Sequence, residues 1–345
     1  MSEAFQNFKS DDVTGLVNES RLGAWLDEQQ LGAGAPMVLR RISGGMSNES
    51  IGIERAGARW VLRRPAKQAL TGADRGMRRE FRVLSALAGS DVPHPRPLAL
   101  CTDPEVAGCT FYVMEHVDGF VPAMNVPAPF ANDDALQRGI ALACMESLGA
   151  LARVDWLARG LEDFGRPDGF HERQVSRWKK QLESYGAREL SGLGEVAQWL
   201  EANTPSATDW TPGIMHGDYH TANLLVAPAP PARLAAILDW ENATIGDPLL
   251  DLAGFLRLFG QGSSAGWAEP AELVAQWEAS SGRAAPDLRY YTTLSAYKLS
   301  VMLEGIFQRS LDDPTRGDAK PIGQMAKQIM EEAKALVRGE APPKE

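Results

Sequence analysis

Between residues 214 and 251 the chain reads IMHGDYHTANLLV and then, after a Pro- and Ala-rich interval, ILDWENATIGDPLLDLA. His216, Gly217, Asp218 and Asn223 stand in the order H-G-D-x-x-x-x-N, and Asp239 follows a second apolar run. Leu224 to Val226 reads as a short buried strand. Ala227 to Pro231 reads as a turn, because proline removes a ladder donor, and Leu234 to Leu238 reads as a second strand with Asp239 at its end. A loop–strand–turn–strand unit of this kind brings Asp218, Asn223 and Asp239 to one edge of a small sheet. Two carboxylates and an amide oxygen gathered there make a hard, oxygen-rich site of the type Mg²⁺ prefers, with further positions left for water and phosphate.

Each of these residues alone has a plainer reading, since Asp and Asn near strand ends usually cap or turn the chain. The three together, in order and at this spacing, are harder to obtain by chance. His216 and His220 stand four apart, as helical zinc ligands do, but Gly217 lies between them and no Glu occupies the general-base place of a zinc protease. His216 is expected to bond the loop backbone.

The amino-terminal half reads as a sheet. Val38 to Ser43 is a strand, Gly44-Gly45-Met46-Ser47-Asn48 a turn, Glu49 to Glu54 a second strand, and Trp60 to Arg63 a third after Ala56-Gly57-Ala58. A glycine turn between strands suits a flap over phosphates, because backbone N–H groups can approach closely; it also serves ordinary hairpins. The third strand delivers Arg63, with Arg64 and Lys67 nearby. Arg is permanently charged and grips phosphate with a bidentate fork. In DRGMRREFRVLSALAG, Met77, Phe81, Leu84 and Leu87 share a face at helical spacing, and Glu80 is the acid placed to pair with Arg63 or to sit on the surface. Phe111 to Glu115 is an apolar strand running into His116-Val117-Asp118-Gly119, a hinge or a plain strand and turn.

Taken together, these segments resemble the aminoglycoside phosphotransferase/choline kinase-like superfamily, which has a protein-kinase-like fold. The residues that carry the likeness are His216 to Asn223, Asp239-Trp240-Glu241, Gly246-Asp247-Pro248 and Asp251-Leu252-Ala253. Within it the chain is most similar to the kinase-like domains related to acyl-CoA dehydrogenase family proteins, through Ser47-Asn48, Val61 to Pro65, Arg79-Glu80-Phe81, Val92 to Pro95 and Phe111 to Glu115. The likeness spans residues 35–255 well and is looser in the carboxy-terminal helices, as at Glu304 to Arg309. It implies an α+β, bilobal fold, with a small antiparallel β-sheet lobe and a larger, mainly helical lobe. The implied divisions are a helical extension over 1–35, a nucleotide-binding lobe over 36–117 and a helical lobe with the catalytic loop over 118–345.

The resemblance also implies an ATP- and Mg²⁺-dependent phosphotransferase acting on a small-molecule hydroxyl. Asp218 would orient that hydroxyl and accept its proton late, while Asn223 and Asp239 hold Mg²⁺. The nucleotide would be held by Gly45, Ser47, Asn48, Arg63 and Glu80, with the Glu115 carbonyl and the Val117 amide on adenine and Met114 behind it. Asp247 is expected to brace the catalytic loop, Asp251 to cap a helix beginning at Leu252, and Glu241 to assist the metal or face solvent. Two departures stand out. Arg63 occupies the place of the usual kinase Lys, and Gly217 the place of the Arg that reads a phosphorylated activation loop. No A-P-E follows, and the interval from Asp239 to Asp247 is too short for such a loop, so activity without phosphorylation is expected.

Composition narrows the setting. At 345 residues two lobes or domains are expected. A net charge of −10 argues against a nucleic-acid partner. Three cysteines make neither a disulfide framework nor a zinc cluster, and the first twelve residues lack an apolar signal core, so a reducing, cytoplasmic setting is expected. No apolar run is long enough to span a bilayer. Helices are expected over 16–31, 135–153, 173–184, 195–202, 269–280, 287–309 and 321–338, and nothing in the pattern sets an oligomeric state. The acceptor is open between an aminoglycoside-like polyamine sugar and a hydroxyacyl thioester. Arg63 in place of Lys also keeps a nucleotide-binding pseudokinase with an interaction role in play.

Overall fold

A computed structural model of the chain describes residues 8–10, 13–42, 48–66, 72–123, 126–186, 188, 190–259, 267–312 and 319–340. In chain order the elements begin with β1 (Phe8–Ser10), α1 (Glu19–Glu28), β2 (Met37–Ile42), β3 (Asn48–Arg55), β4 (Ala58–Pro65) and α2 (Ala73–Ala86). They continue with β5 (Pro97–Cys101), α3 (Pro104–Ala107), β6 (Phe111–Glu115), α4 (Asp134–Arg153), α5 (Gln174–Ser184), α6 (Leu193–Ala202) and β7 (Gly213–Met215). The remainder are β8 (Leu224–Val226), β9 (Leu234–Ile237), β10 (Thr244–Gly246), α7 (Leu249–Phe259), α8 (Pro270–Ser281), α9 (Arg289–Asp312) and α10 (Lys320–Arg338). Two compact units emerge: residues 1–147, 154–162 and 221–243 in the first, and 148–153, 163–220 and 244–345 in the second.

In the first unit an antiparallel six-stranded sheet has the order β1-β2-β3-β4-β6-β5. The expected strands over 49–54 and 60–63 are present, each extended at both ends; the one expected over 38–43 begins a residue earlier and is described as far as Ile42, Ser43 lying outside the described residues. Their register sets Arg63 opposite Tyr112 and Trp60 opposite Glu115. Cross-strand partners share a face, so the cation and the phenol emerge together. Ile51, Ile53 and Leu62, fully buried, pack with Leu22 and Leu26 of α1 and with Phe111 and Val113. Helix α1 is shorter than the expected 16–31: Asn18 caps it by accepting the Arg21 amide at 3.1 Å, and it ends before Gly32.

One polar side chain ties α1 to the sheet. Arg55, 5 % exposed at the end of β3, donates to the carbonyls of Ala35 (2.8 Å), Gly23 (3.2 Å) and Leu31 (3.3 Å), and pairs with Asp27 at 2.5 Å. A two-strand hairpin, β8 with β9, completes the unit, and the Val226 main chain exchanges two hydrogen bonds with Phe120. That approach requires Gly119, where an added Cβ would lie 2.7 Å from the Val226 carbonyl oxygen.

The second unit is mainly helical. α9 and α10 run side by side, with Ala326, Ile329, Met330 and Ala333 buried on α10 and Ser300 of α9 donating to the Ala326 carbonyl at 2.6 Å. Its only strands among the described residues, β7 and β10, form an antiparallel pair. Tyr290, Tyr291 and Tyr297 of α9 are buried. No helix among the described residues is long and apolar enough to cross a membrane.

Arg55→Met removes the donor from three carbonyls, and each buried acceptor left unpaired costs roughly 1–3 kcal/mol. Urea unfolding followed by circular dichroism should show a loss of about 2–4 kcal/mol, with Arg55→Lys in between.

Candidate functional site

The sequence-predicted residues fall into two groups, because the boundary between the units passes between His220 and Thr221, inside the H-G-D-x-x-x-x-N segment. Asn48, Arg63, Glu80, Glu115, Val117, Asn223 and Asp239 belong to the first unit, and Asp218 to the second. Gly45 and Ser47 lie outside the described residues.

In the first unit β4 delivers Arg63, which is 8 % exposed. Its Nε donates to Glu80 Oε2 at 2.8 Å and its Nη2 to Asp239 Oδ1 at 2.5 Å. Glu80, from α2, is fully buried and also accepts the Tyr112 hydroxyl at 2.9 Å. The expected pairing of Arg63 with Glu80 is therefore present, and Glu80 is not a surface residue. Burial opposes the charge on Arg63, but Glu80, Tyr112 and Asp239 outweigh it and hold the guanidinium above its usual pKa. Asn48 donates to Glu241 at 2.8 Å and reaches Glu80 Oε1 at 3.5 Å. Oxygens of Glu80, Asp239 and Glu241 all lie within 4.8 Å of one another.

Local sequence explains how Asp239 gets there. β9 ends at Ile237, and Asp239 takes a left-handed conformation (φ 65°) that Asp tolerates better than most residues. Trp240, 2 % exposed, then anchors the turn by donating to the Ile237 carbonyl at 2.8 Å. The Leu238 amide donates to the Asn223 carbonyl at 2.8 Å, so Asn223 stands across the hairpin end from the residue before Asp239.

Beside these charges lies a cavity of about 240 Å³ whose walls include Val61, Leu84, Met114, Leu225 and Leu238, with Arg63 and Asp239 also on its lining. Glu115, His116 and Val117 line it too. The Glu115 amide donates to the Arg96 carbonyl and the His116 amide to the Arg59 carbonyl, whereas the Val117 amide has no acceptor among the described residues. The Arg59 side chain holds the end of this segment through two bonds to Asp118, at 2.9 and 2.5 Å.

In the second unit the segment after β7 is held from α7. Asp251 accepts the His216 amide at 2.6 Å and the Gly217 amide at 2.9 Å. Lys298 of α9 donates to the Gly217 carbonyl at 2.7 Å. Gly217 has φ 82°, a conformation costly for a side chain such as the arginine found there in protein kinases. His220 Nε2 is 3.5 Å from Asp218 Oδ1. Burial works to raise the Asp218 pKa, but the His220 contact, then Lys298 and His216, prevail and lower it.

Two expected roles are exchanged. Asp247, not Asp251, caps the helix: its Oδ1 accepts the Leu249 amide at 3.1 Å, Pro248 follows at the first position, and α7 starts at Leu249 rather than Leu252. Its other oxygen contacts buried His171 at 3.0 Å. Asp251, one turn later, braces the loop. Lys298 escaped the sequence reading, although a lone Lys within LSAYKLSVM was its visible signal.

With this geometry in place, comparison with known proteins is direct. Residues 38–288 match the family model described as APH, phosphotransferase enzyme family. Acyl-CoA dehydrogenase family member 11 of Gallus gallus is 31% identical over 326 residues, covering 88% of this chain and 41% of that protein. The Homo sapiens protein of that name is 29% identical, covering 84% and 39%. The chain thus spans about two fifths of the length of these curated relatives. A Ralstonia eutropha protein, provisionally described as an aminoglycoside phosphotransferase, superposes with a TM-score of 0.81 at 28% identity, over 94% of this chain and 99% of that one. Aminoglycoside phosphotransferase APH(4)-Ia in complex with AMP-PNP and hygromycin B shares the fold, with a TM-score of 0.61 at 17% identity and coverage of 94% and 100%. The fold is therefore protein-kinase-like, and the chain belongs to the phosphotransferase enzyme family.

Proposed function

We propose that this protein is a kinase that moves the γ-phosphate of ATP, with Mg²⁺, to a hydroxyl of a small molecule. The observation that carries this reading is the apolar cavity of the first unit, lined at once by a hinge segment and by Arg63 and Asp239. Residues 36–117 then form the nucleotide lobe, 118–345 the transfer lobe and 1–35 an extension.

The donor set fits a hard divalent ion. The Arg63 guanidinium bonds Glu80 and Asp239, oxygens of these two and of Glu241 lie within 4.8 Å of one another, and all the candidate ligand atoms are oxygens. Asp239 and Asn223 would hold the ion, with Glu241 as a further acid. When bound, Mg²⁺ supplies charge neutralisation at the β- and γ-phosphate oxygens.

The residues of the chain do the rest. The cavity walls take a planar base, with the Glu115 carbonyl as acceptor and the Val117 amide as donor. Asn48, with Gly45 and Ser47, covers the phosphates. Arg63 grips them with its remaining N–H groups while Glu80 holds it in place. Asp218 orients the acceptor hydroxyl and takes its proton late, a task for which a carboxylate of lowered pKa suffices because the transition state is loose. Cys101, Cys109 and Cys144 are free thiols, which supports a reducing, cytoplasmic setting. The names of the curated relatives favour one acceptor class, a hydroxyl on an acyl thioester.

Labelled ATP with Mg²⁺ and a panel of aminoglycosides, hydroxyacyl thioesters and metabolite extracts tests the reading. Wild type should give a phosphorylated product, and Asp218→Ala should lose about 10²–10⁴ in rate while still binding Mg·ATP. Tight Mg·ATP binding without turnover on any acceptor would instead make the chain a pseudokinase.

A second outcome concerns Asp251, whose pKa burial pushes up to about 6. It accepts both amides as a carboxylate, so bracing of the loop strengthens as pH rises through that value. The rate should therefore fall on acidification below about pH 6. Asp251→Asn keeps one acceptor and meets the second amide with an N–H, so turnover should drop about 10- to 100-fold with nucleotide affinity unchanged.

A further inference from the structure

Lys298 is a charged side chain of the second unit that the transfer scheme does not use and that touches the segment carrying Asp218. It sits in α9, which is otherwise packed through Tyr297, Val301 and Leu294, all buried. Its ammonium donates to the Gly217 carbonyl at 2.7 Å, across 81 residues of sequence, and lies 5.8 Å from the Trp178 ring centroid of α5. The carbonyl it binds belongs to the peptide that joins Gly217 to Asp218. On the other side of Gly217 the amide is held by Asp251. Both ends of one glycine, in a left-handed conformation, are thus fixed by charged groups from two helices.

We propose that Lys298 is a positioning residue for phosphoryl transfer: it fixes the peptide plane that aims Asp218 and balances the charge of Asp251 beside it. The inference rests on the kinase reading given above. Its physical basis is that Asp251, placed to accept two amides, brings a second negative charge to the neighbourhood of Asp218. A like charge favours protonation of a carboxylate, and a nearby cation opposes it. Asp218 is faced by His220 and His216 from its own segment and by Lys298 from α9; Asp251 is faced by Lys298 and Asp218; Lys298 in turn faces Arg177 of α5. Burial and Arg177 disfavour the ammonium, and Asp251 and Asp218 support it.

The test compares wild type, Lys298→Met, Lys298→Arg and Asp218→Ala in two assays. One is hydrolysis of Mg·ATP with water as acceptor, over pH. The other is calorimetric binding of Mg·AMP-PNP. Lys298→Met should bind Mg·AMP-PNP as wild type does and melt cooperatively. Its hydrolysis rate should fall about 10- to 100-fold, and its acidic limb should move up by about half a pH unit or more. Lys298→Arg restores the position of the limb even where the rate recovers only in part. A Lys298→Met protein with an unmoved limb, or one slowed only as its folded fraction falls, overturns the proposal. Wild type no faster than Asp218→Ala would refute the kinase reading instead. The positioning claim is then decided by amide hydrogen exchange over residues 214–220, which must quicken in Lys298→Met and not in Lys298→Arg.

Discussion

One guanidinium organises the first unit. Arg63 is nearly inaccessible to solvent, and an isolated buried cation would be costly. It is compensated by carboxylates from two different elements, Glu80 on α2 and Asp239 after β9, each meeting a different nitrogen. The sheet, the helix and the hairpin end are thereby tied to the same charge. Removing one member of a buried pair leaves the other uncompensated, a loss of about 3–5 kcal/mol in well-studied cases. The geometry also accounts for Arg where kinases carry Lys. A planar fork can give Nε to one acid and Nη2 to another, while an ammonium on a flexible stem is a single point charge. What looks in the sequence like a degraded motif is, in the structure, a bridge that joins the sheet, the helix and the hairpin end.

Much of this was legible beforehand, and the reasons are physical. Ile51 and Ile53 of β3 alternate with polar or small neighbours and Ala56-Gly57 separates β3 from β4, so period and punctuation agree there. The pairing of Arg63 with Glu80 is implied by the kinase-like resemblance, in which a strand-borne cation meets an acid on the next helix; spacing alone leaves Glu80 open as a surface residue. β5 was missed, since Pro97 opens a strand at the sheet edge after a proline-rich approach and leaves little alternation to detect. β7 and β10, at three residues each, are shorter than any period can reveal. Lys298 could be seen as an oddity within an apolar helix but not assigned, because periodicity reports a face and never the partner on the other side.

The exchange of roles between Asp247 and Asp251 shows where pattern reading reaches its limit. Gly-Asp-Pro followed by an apolar run is a start signal for a helix: Asp serves as N-cap and Pro suits the first position, where its missing N–H costs nothing. Read this way, Asp247 has its partner within its own helix, at Leu249. Asp251 then falls inside the first turn, 5 % exposed, with no cap to make. A buried carboxylate in that position must find donors elsewhere, and the amides of His216 and Gly217 are what it finds.

That solution carries a consequence for the loop it secures. Each amide bond to Asp251 is strongest when the acid is ionised, yet ionisation puts a negative charge close to the segment that carries Asp218. An apolar neighbour in place of Lys298 would set the two demands against each other: firm bracing would come with a more readily protonated Asp218. A cation that touches the Gly217 carbonyl and faces both acids removes the conflict, since it favours the ionised form of each. The strand pair β7–β10, the cap at Asp247 and the length of α9 place these three charges; the identity of any one of them is intelligible only beside the other two.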